Sequence, residues 1–156
     1  MRINCRINGE KKAFEVSPEE SLLNLLRREG FVSVKKGCET GFCGSCTIIL
    51  NSKLVNSCIV FALRADGAEI PTVEALGFPD KMHPIQEAFV DEGAVQCGYC
   101  TPGMLLATKV LLDKKSNPDE EEIKHALDGN LCRCTGYVKI IEAVKTASKQ
   151  LGVKHE

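Results

Sequence analysis

In the stretch GNLCRCTGY, Cys132 and Cys134 are separated by a single arginine. Residues two apart in extended backbone point to the same side, so both sulfurs can face one inorganic centre. A disulfide across so short a ring is cramped. The pair therefore reads as half of a metal site, and QCGYCTPG supplies Cys97 and Cys100 as the other half. A second set lies upstream, where GCETGFCGSC places Cys38, then four residues, Cys43, then two residues, Cys46, with Cys58 following later. This is the plant-type spacing for a 2Fe-2S cluster, C-x4-C-x2-C with a distant fourth cysteine. Gly37, Gly41 and Gly44 let the main chain wrap closely round such a core and aim N–H groups at its sulfurs.

Structural zinc is the competing use of four cysteines, usually through two C-x2-C knuckles, and neither set has two. The competition is stronger for the second set, because a single C-x2-C serves both chemistries, and spacing does not divide its sulfurs between two irons. Cys5, the ninth cysteine, alternates with Ile3 and Ile7 and reads as a buried apolar thiol. His83, His125 and His155 are scattered, and surface or helix-end roles are expected of them. No phosphate loop, G-x-S-x-G elbow or G-x-G-x-x-G is present, so the chain is not expected to hold a nucleotide by those devices.

With 20 basic and 21 acidic residues, no basic tract and few aromatics, the chain has no nucleic-acid signature. Its start, MRINCRINGE, lacks the apolar segment of a secretory signal, and no run approaches membrane-spanning length. A reducing, cytoplasmic setting is expected, where clustered cysteines serve as ligands or redox centres.

Two halves of different periodicity must hold these cysteines. In the first, RINCRI, the turn signal Asn8-Gly9 and KKAFEV predict a β-hairpin. SPEESLLNLLRREG predicts a helix with Ser17 and Glu20 in capping-box spacing, Pro18 in the first turn, and Leu22, Leu25 and Leu26 buried. TIIL and LVNSCIV follow as strands about an NSK turn, then a last apolar stretch near AEIPTV. The second half predicts four helices, marked by Ile85, Ala88 and Phe89, by Met104, Leu105, Thr108, Leu111 and Leu112, by NPDEEEIKHALDG, and by Ile140, Val144, Ala147 and Leu151. Asn117 is the expected cap of the third of these, with Pro118 in its first turn. Pro71, Gly77 and Pro79 break both patterns at the join, giving an α+β chain with domains at 1–74 and 75–156.

Taken together, KGCETGFCGSCTIIL, VQCGYCTPG and GNLCRCTGY resemble the small iron-sulfur subunit of the molybdenum hydroxylases, the xanthine dehydrogenase and aldehyde oxidoreductase family. The resemblance spans essentially the whole chain. It implies a β-grasp, ferredoxin-like N-terminal domain and a C-terminal four-helix bundle, each binding one 2Fe-2S cluster. It also implies a large molybdopterin-binding subunit and a medium FAD-binding subunit as partners. By the same resemblance Gln96 contacts the molybdopterin, Cys134 lies close to the pterin, and single electrons pass from the molybdenum side through both clusters toward FAD. Xanthine dehydrogenase is the preferred assignment within the family, with carbon monoxide, nicotinate and aldehyde dehydrogenases as alternatives. A freestanding two-cluster ferredoxin is the competing reading outside it.

Overall fold

The structure is a computed structural model that describes residues 1–152, so His155 lies outside the described residues. The first strand, β1 (Arg2–Ile7), buries Ile3, Cys5 and Ile7 on one face, as strict alternation requires. Asn8 and Gly9 turn the chain at φ of 51° and 85°, and β2 (Glu10–Glu15) returns antiparallel, pairing Phe14 with Ile3. Left-handed values at both central residues match the twist of the flanking strands.

The first helix, α1 (Leu22–Arg28), starts later than its sequence predicts. Ser21, not Ser17, is the cap, its Oγ accepting from the Asn24 N–H at 3.2 Å. The reason is tertiary. The Ala62 N–H donates to the Glu20 carbonyl and the Leu22 N–H to the Val60 carbonyl, so the chain is held extended through Ser21 before a helix can begin. Glu20 instead pairs with Arg28 at 2.8 Å. Strands β3 (Thr47–Leu50) and β4 (Lys53–Asn56) form a separate hairpin turned by Asn51 and Ser52 at φ of 48° and 65°. The stretch predicted as strand through Val60 ends at Asn56, and Cys58 sits in a 3₁₀ turn, Ser57–Ile59. The short β5 (Glu69–Ile70) joins β1 in parallel, giving the order β2-β1-β5.

Four helices follow: α2 (Pro84–Asp91), α3 (Thr101–Lys114), α4 (Glu120–Leu127) and α5 (Val138–Gly152). His83 caps α2, its Nδ1 accepting from the Ile85 N–H at 3.2 Å, while the Gln86 side chain accepts from the His83 N–H at 2.8 Å. His125, by contrast, is solvent-exposed near the end of α4, 3.8 Å from Asp128. The cap of α4 is Asp119 rather than Asn117, because Asp119 and Glu122 exchange hydrogen bonds at 2.9 and 2.8 Å in a full capping box. Pro118 therefore precedes the cap. Two separate apolar cores result. One gathers Ile3, Ile7, Leu22, Leu26, Ile48 and Ile70; the other gathers Phe89, Met104, Ile123, Ile140 and Val144. Each fully buried large side chain contributes about 1.5–3 kcal/mol. No described helix is long and apolar enough to cross a membrane.

Near the join, Glu74 ties the end of the first half of the chain to the segment after α1. Its carboxylate accepts from Ser33 Oγ at 2.5 Å, from the Ser33 N–H at 3.3 Å and from the Thr72 hydroxyl. Burial opposes the charge, yet these donors hold the carboxyl below its ordinary value. A lowered folded-state value means stability that is complete above the unfolded carboxyl range and is lost as pH falls through the folded value. Glu74→Gln is thus expected to cost about 1 kcal/mol at neutral pH, discounted for partial exposure. Urea unfolding at pH 7 and pH 3 checks this: the gap between wild type and variant narrows at the lower pH, and a gap that widens there disproves it.

Candidate metal centres

The loop from Gly37 to Cys46 connects the region after α1 to β3 and winds through two left-handed glycines, Gly41 and Gly44, at φ of 77° and 70°. Its backbone points inward at sulfur. The N–H groups of Thr40, Phe42 and Cys43 reach the Cys38 Sγ at 3.4, 3.3 and 3.3 Å, and the Cys38 N–H reaches the Cys43 Sγ at 3.4 Å. Gly37 leaves room for this approach, since a Cβ there would lie 2.8 Å from the Cys43 Sγ. Hydrogen bonds from Thr40, Cys43 and Phe42 lower the exposed Cys38 thiol to about 6. Deeper in, Cys46 and Cys58 lie side by side, and burial with the neighbouring Cys46 pushes the Cys58 thiol up to about 11. Asn56, at the end of β4, anchors the rim by donating to the Gly41 carbonyl at 2.7 Å.

The second centre is built from the start of α3 and the loop before α5. Cys100 is buried at the head of α3 beside Cys132, and burial pushes its thiol up to about 12. Cys97 and Cys134 form the exposed second pair, and the hydrogen bond that the Cys134 thiol donates to Cys97 raises it. Burial works against ionising Cys132, but the hydroxyl and N–H of Thr135 and the N–H of Cys134 outweigh it and lower that thiol. All eight sequence-predicted cysteines are thus gathered, four at each centre, in adjacent pairs. Cys5 stays apart in the first core, its thiol raised by burial and by Asp66. Among the described residues, no three His, Cys, Asp or Glu converge on a single ion. A 2Fe-2S core asks for two thiolates on each of two irons, and the pairs Cys38/Cys43, Cys46/Cys58, Cys97/Cys134 and Cys100/Cys132 fit that donor set.

The centres touch through backbone. The Leu131 N–H donates to the Cys43 carbonyl at 2.9 Å, joining a first-set cysteine to the residue before Cys132. Asn130, 5% exposed, donates to the Gly44 carbonyl at 2.9 Å and to Thr47 Oγ1 at 3.1 Å, and Tyr99 Oη donates to the Lys36 carbonyl at 2.6 Å. Sequence reasoning found none of these four contacts. Asn130 and Tyr99 stand inside the cysteine motifs, yet only the folded contact shows what each one grips.

Residues 5–72 match the family described as the 2Fe-2S iron-sulfur cluster binding domain, and residues 72–145 match the [2Fe-2S] binding domain. The chain is 49% identical over 146 residues to the nicotinate dehydrogenase small FeS subunit of Eubacterium barkeri, covering 93% of each. The chain belongs to the 2Fe-2S subunits of the molybdenum hydroxylases. This iron-sulfur subunit is also 42% identical over 152 residues to the xanthine dehydrogenase iron-sulfur-binding subunit of Escherichia coli O157:H7, covering 94% of each. It superposes on the aldehyde oxidoreductase of Desulfovibrio desulfuricans ATCC 27774 with a TM-score of 0.94 at 39% identity, covering 98% of the iron-sulfur subunit and 17% of the larger chain. As an oxidoreductase subunit its work is electron transfer.

Proposed function

We propose that this chain relays single electrons between a large molybdopterin-binding subunit and a medium FAD-binding subunit through two 2Fe-2S clusters. The observation that carries the proposal is the direct backbone contact between two four-cysteine loops, Leu131 N–H to Cys43 carbonyl at 2.9 Å. When bound, each cluster stores one electron, which divides a two-electron oxidation into single steps. The protein's part is then positional and electrostatic. Cys38, Cys43, Cys46 and Cys58 hold the first cluster, and Cys97, Cys100, Cys132 and Cys134 hold the second. Backbone N–H groups aimed at sulfur stabilise the more negative, reduced state.

The β-rich half is proposed as a β-grasp domain over residues 1–74 and the helical half as a four-helix bundle domain over residues 75–156. Their separate apolar cores support the division. The exposed side of the second centre, with Cys134 and the solvent-facing Gln96 and Cys97, is proposed to meet the pterin. Gln96→Ala is expected to slow reduction of the second cluster by substrate about tenfold in the assembled enzyme while leaving the chain's unfolding midpoint unchanged. Stopped-flow kinetics with thermal unfolding decides it, and an unaltered rate removes Gln96 from the pterin contact.

For the partner's substrate we propose a nitrogen heteroaromatic, a class that includes both nicotinate and xanthine. Support comes from the two relatives named for these compounds, at 49% and 42% identity. Xanthine is one candidate within that class. The deciding experiment is anoxic purification of the chain from its host with metal analysis and mass spectrometry. Co-purification of a molybdenum-containing large subunit is expected. A chain that emerges alone with two clusters and no molybdenum would be a freestanding ferredoxin instead.

A further inference from the structure

Both centres hydrogen-bond their sulfurs. At the first, the Cys38 Sγ takes the N–H groups of Thr40, Phe42 and Cys43 together with the Thr40 side chain. At the second, a side chain reaches the ligand: Thr135 Oγ1 donates to the Cys132 Sγ at 3.1 Å. The direction of that bond follows from its other partner. The Tyr137 N–H donates to the same Oγ1 at 3.1 Å, leaving the hydroxyl's single proton for sulfur. The Cys132 N–H is engaged elsewhere, donating to Tyr137 Oη at 2.9 Å. Two consecutive left-handed residues, Gly136 and Tyr137 at φ of 62° and 69°, fold the Tyr137 ring back over the cysteine loop. A non-glycine residue there costs about 1–3 kcal/mol, so the surrounding contacts must hold it.

We infer that Thr135 is the residue that sets the reduction potential of the second cluster, its hydroxyl drawing electron density from the Cys132 thiolate and favouring the reduced state. The inference rests on the relay reading, in which Cys132 is a cluster ligand. Removing the proton donor lowers the potential of that cluster alone, and serine restores it.

The test is a dithionite titration of the full-length chain, reconstituted anaerobically with iron and sulfide and followed by EPR. One electron from dithionite reduces one ferric ion per cluster to ferrous, and the Thr135 proton stays on Oγ1. The signal absent from Cys100→Ala identifies the second cluster. In Thr135→Val the ratio of reduced to oxidised second cluster at fixed poise is expected to fall about tenfold, equivalent to about 59 mV for a one-electron couple. The first cluster is unmoved, and Thr135→Ser returns the wild-type ratio. Thr135→Ala serves if valine crowds the turn. An unchanged ratio in the valine or alanine variant overturns the inference, as does a serine variant that fails to restore it. Loss of the second cluster from both valine and alanine variants makes the hydroxyl a structural requirement and also overturns it. A wild-type chain that assembles no second cluster overturns the relay reading itself, an outcome separate from the rest.

Discussion

Cys100→Ala is expected to halve the iron bound per chain and to erase the absorption and EPR signal of one cluster while sparing the other. Cys100 is 9% exposed at the head of α3, packed in the helical core and beside Cys132. A buried thiol behaves as a small apolar group, so alanine leaves the neutral chain's packing nearly intact. The large effect is on metal. Burial pushes the Cys100 thiol up to about 12, so this position ionises in exchange for bonding to iron rather than beforehand. Without it one iron lacks half its protein ligands, and the folding energy contributed by the second cluster is lost. Cys5→Ala provides the contrast, because Cys5 is equally buried but lies in the first core away from both sets. It is expected to keep all the iron. Iron and sulfide analysis of both variants decides the matter, and full iron retention in Cys100→Ala would remove Cys100 from the ligand set. On the proposed relay, in which electrons reach the first cluster through the second, substrate reduction of the first cluster in the assembled enzyme should slow by orders of magnitude.

The gathering of the cysteines was legible because the proposed metal ligation would constrain sequence spacing directly, and C-x4-C-x2-C or C-x-C survives any ambiguity about secondary structure. The first hairpin was legible for a similar reason: Asn8-Gly9 encodes its own turn. Helix starts were less so. Ser17-x-x-Glu20 has capping-box spacing, but Glu20 and Leu22 are claimed by residues 60–62, and a long-range backbone pairing outranks a local cap. Asp119 lost out to Asn117 in the sequence reading, although Asp119-x-x-Glu122 carries the complete capping box. Cys58 illustrates a third kind of loss. LVNSCIV has the composition of a strand, yet the chain leaves the sheet at Asn56 to bring the Cys58 sulfur beside Cys46. Hardest of all was the grip of Asn130 on Gly44, separated by 86 residues, for which periodicity offers no signal.

That grip makes Gly44→Ala the second large effect. An added Cβ at Gly44 would lie 2.0 Å from the Gly129 carbonyl oxygen and 2.8 Å from Asn130 Nδ2, at a φ of 70° that side chains rarely adopt. Left-handed strain and overpacking cost about 1–3 kcal/mol each, which predicts a fall in unfolding midpoint of roughly 5–15 °C for a chain of this size. Because the clash is with main chain, relief requires residues 129–131 to withdraw from the first cysteine loop. Withdrawal stretches the 2.9 Å bond from the Leu131 N–H to the Cys43 carbonyl and the 2.9 Å bond from Asn130 to the Gly44 carbonyl. Electron exchange between the clusters is therefore expected to slow at least tenfold, and their magnetic coupling to weaken. Gly67→Ala separates strain from clash: its φ is 71°, but nothing lies within 4 Å of the added Cβ. It should carry the backbone penalty alone and leave both cluster signals as they are. Thermal unfolding and EPR of the two variants, side by side, distinguish a loop that merely needs glycine from a contact that sets the distance electrons must cross; equal behaviour of the two would mean that the Gly44 contact carries no such role.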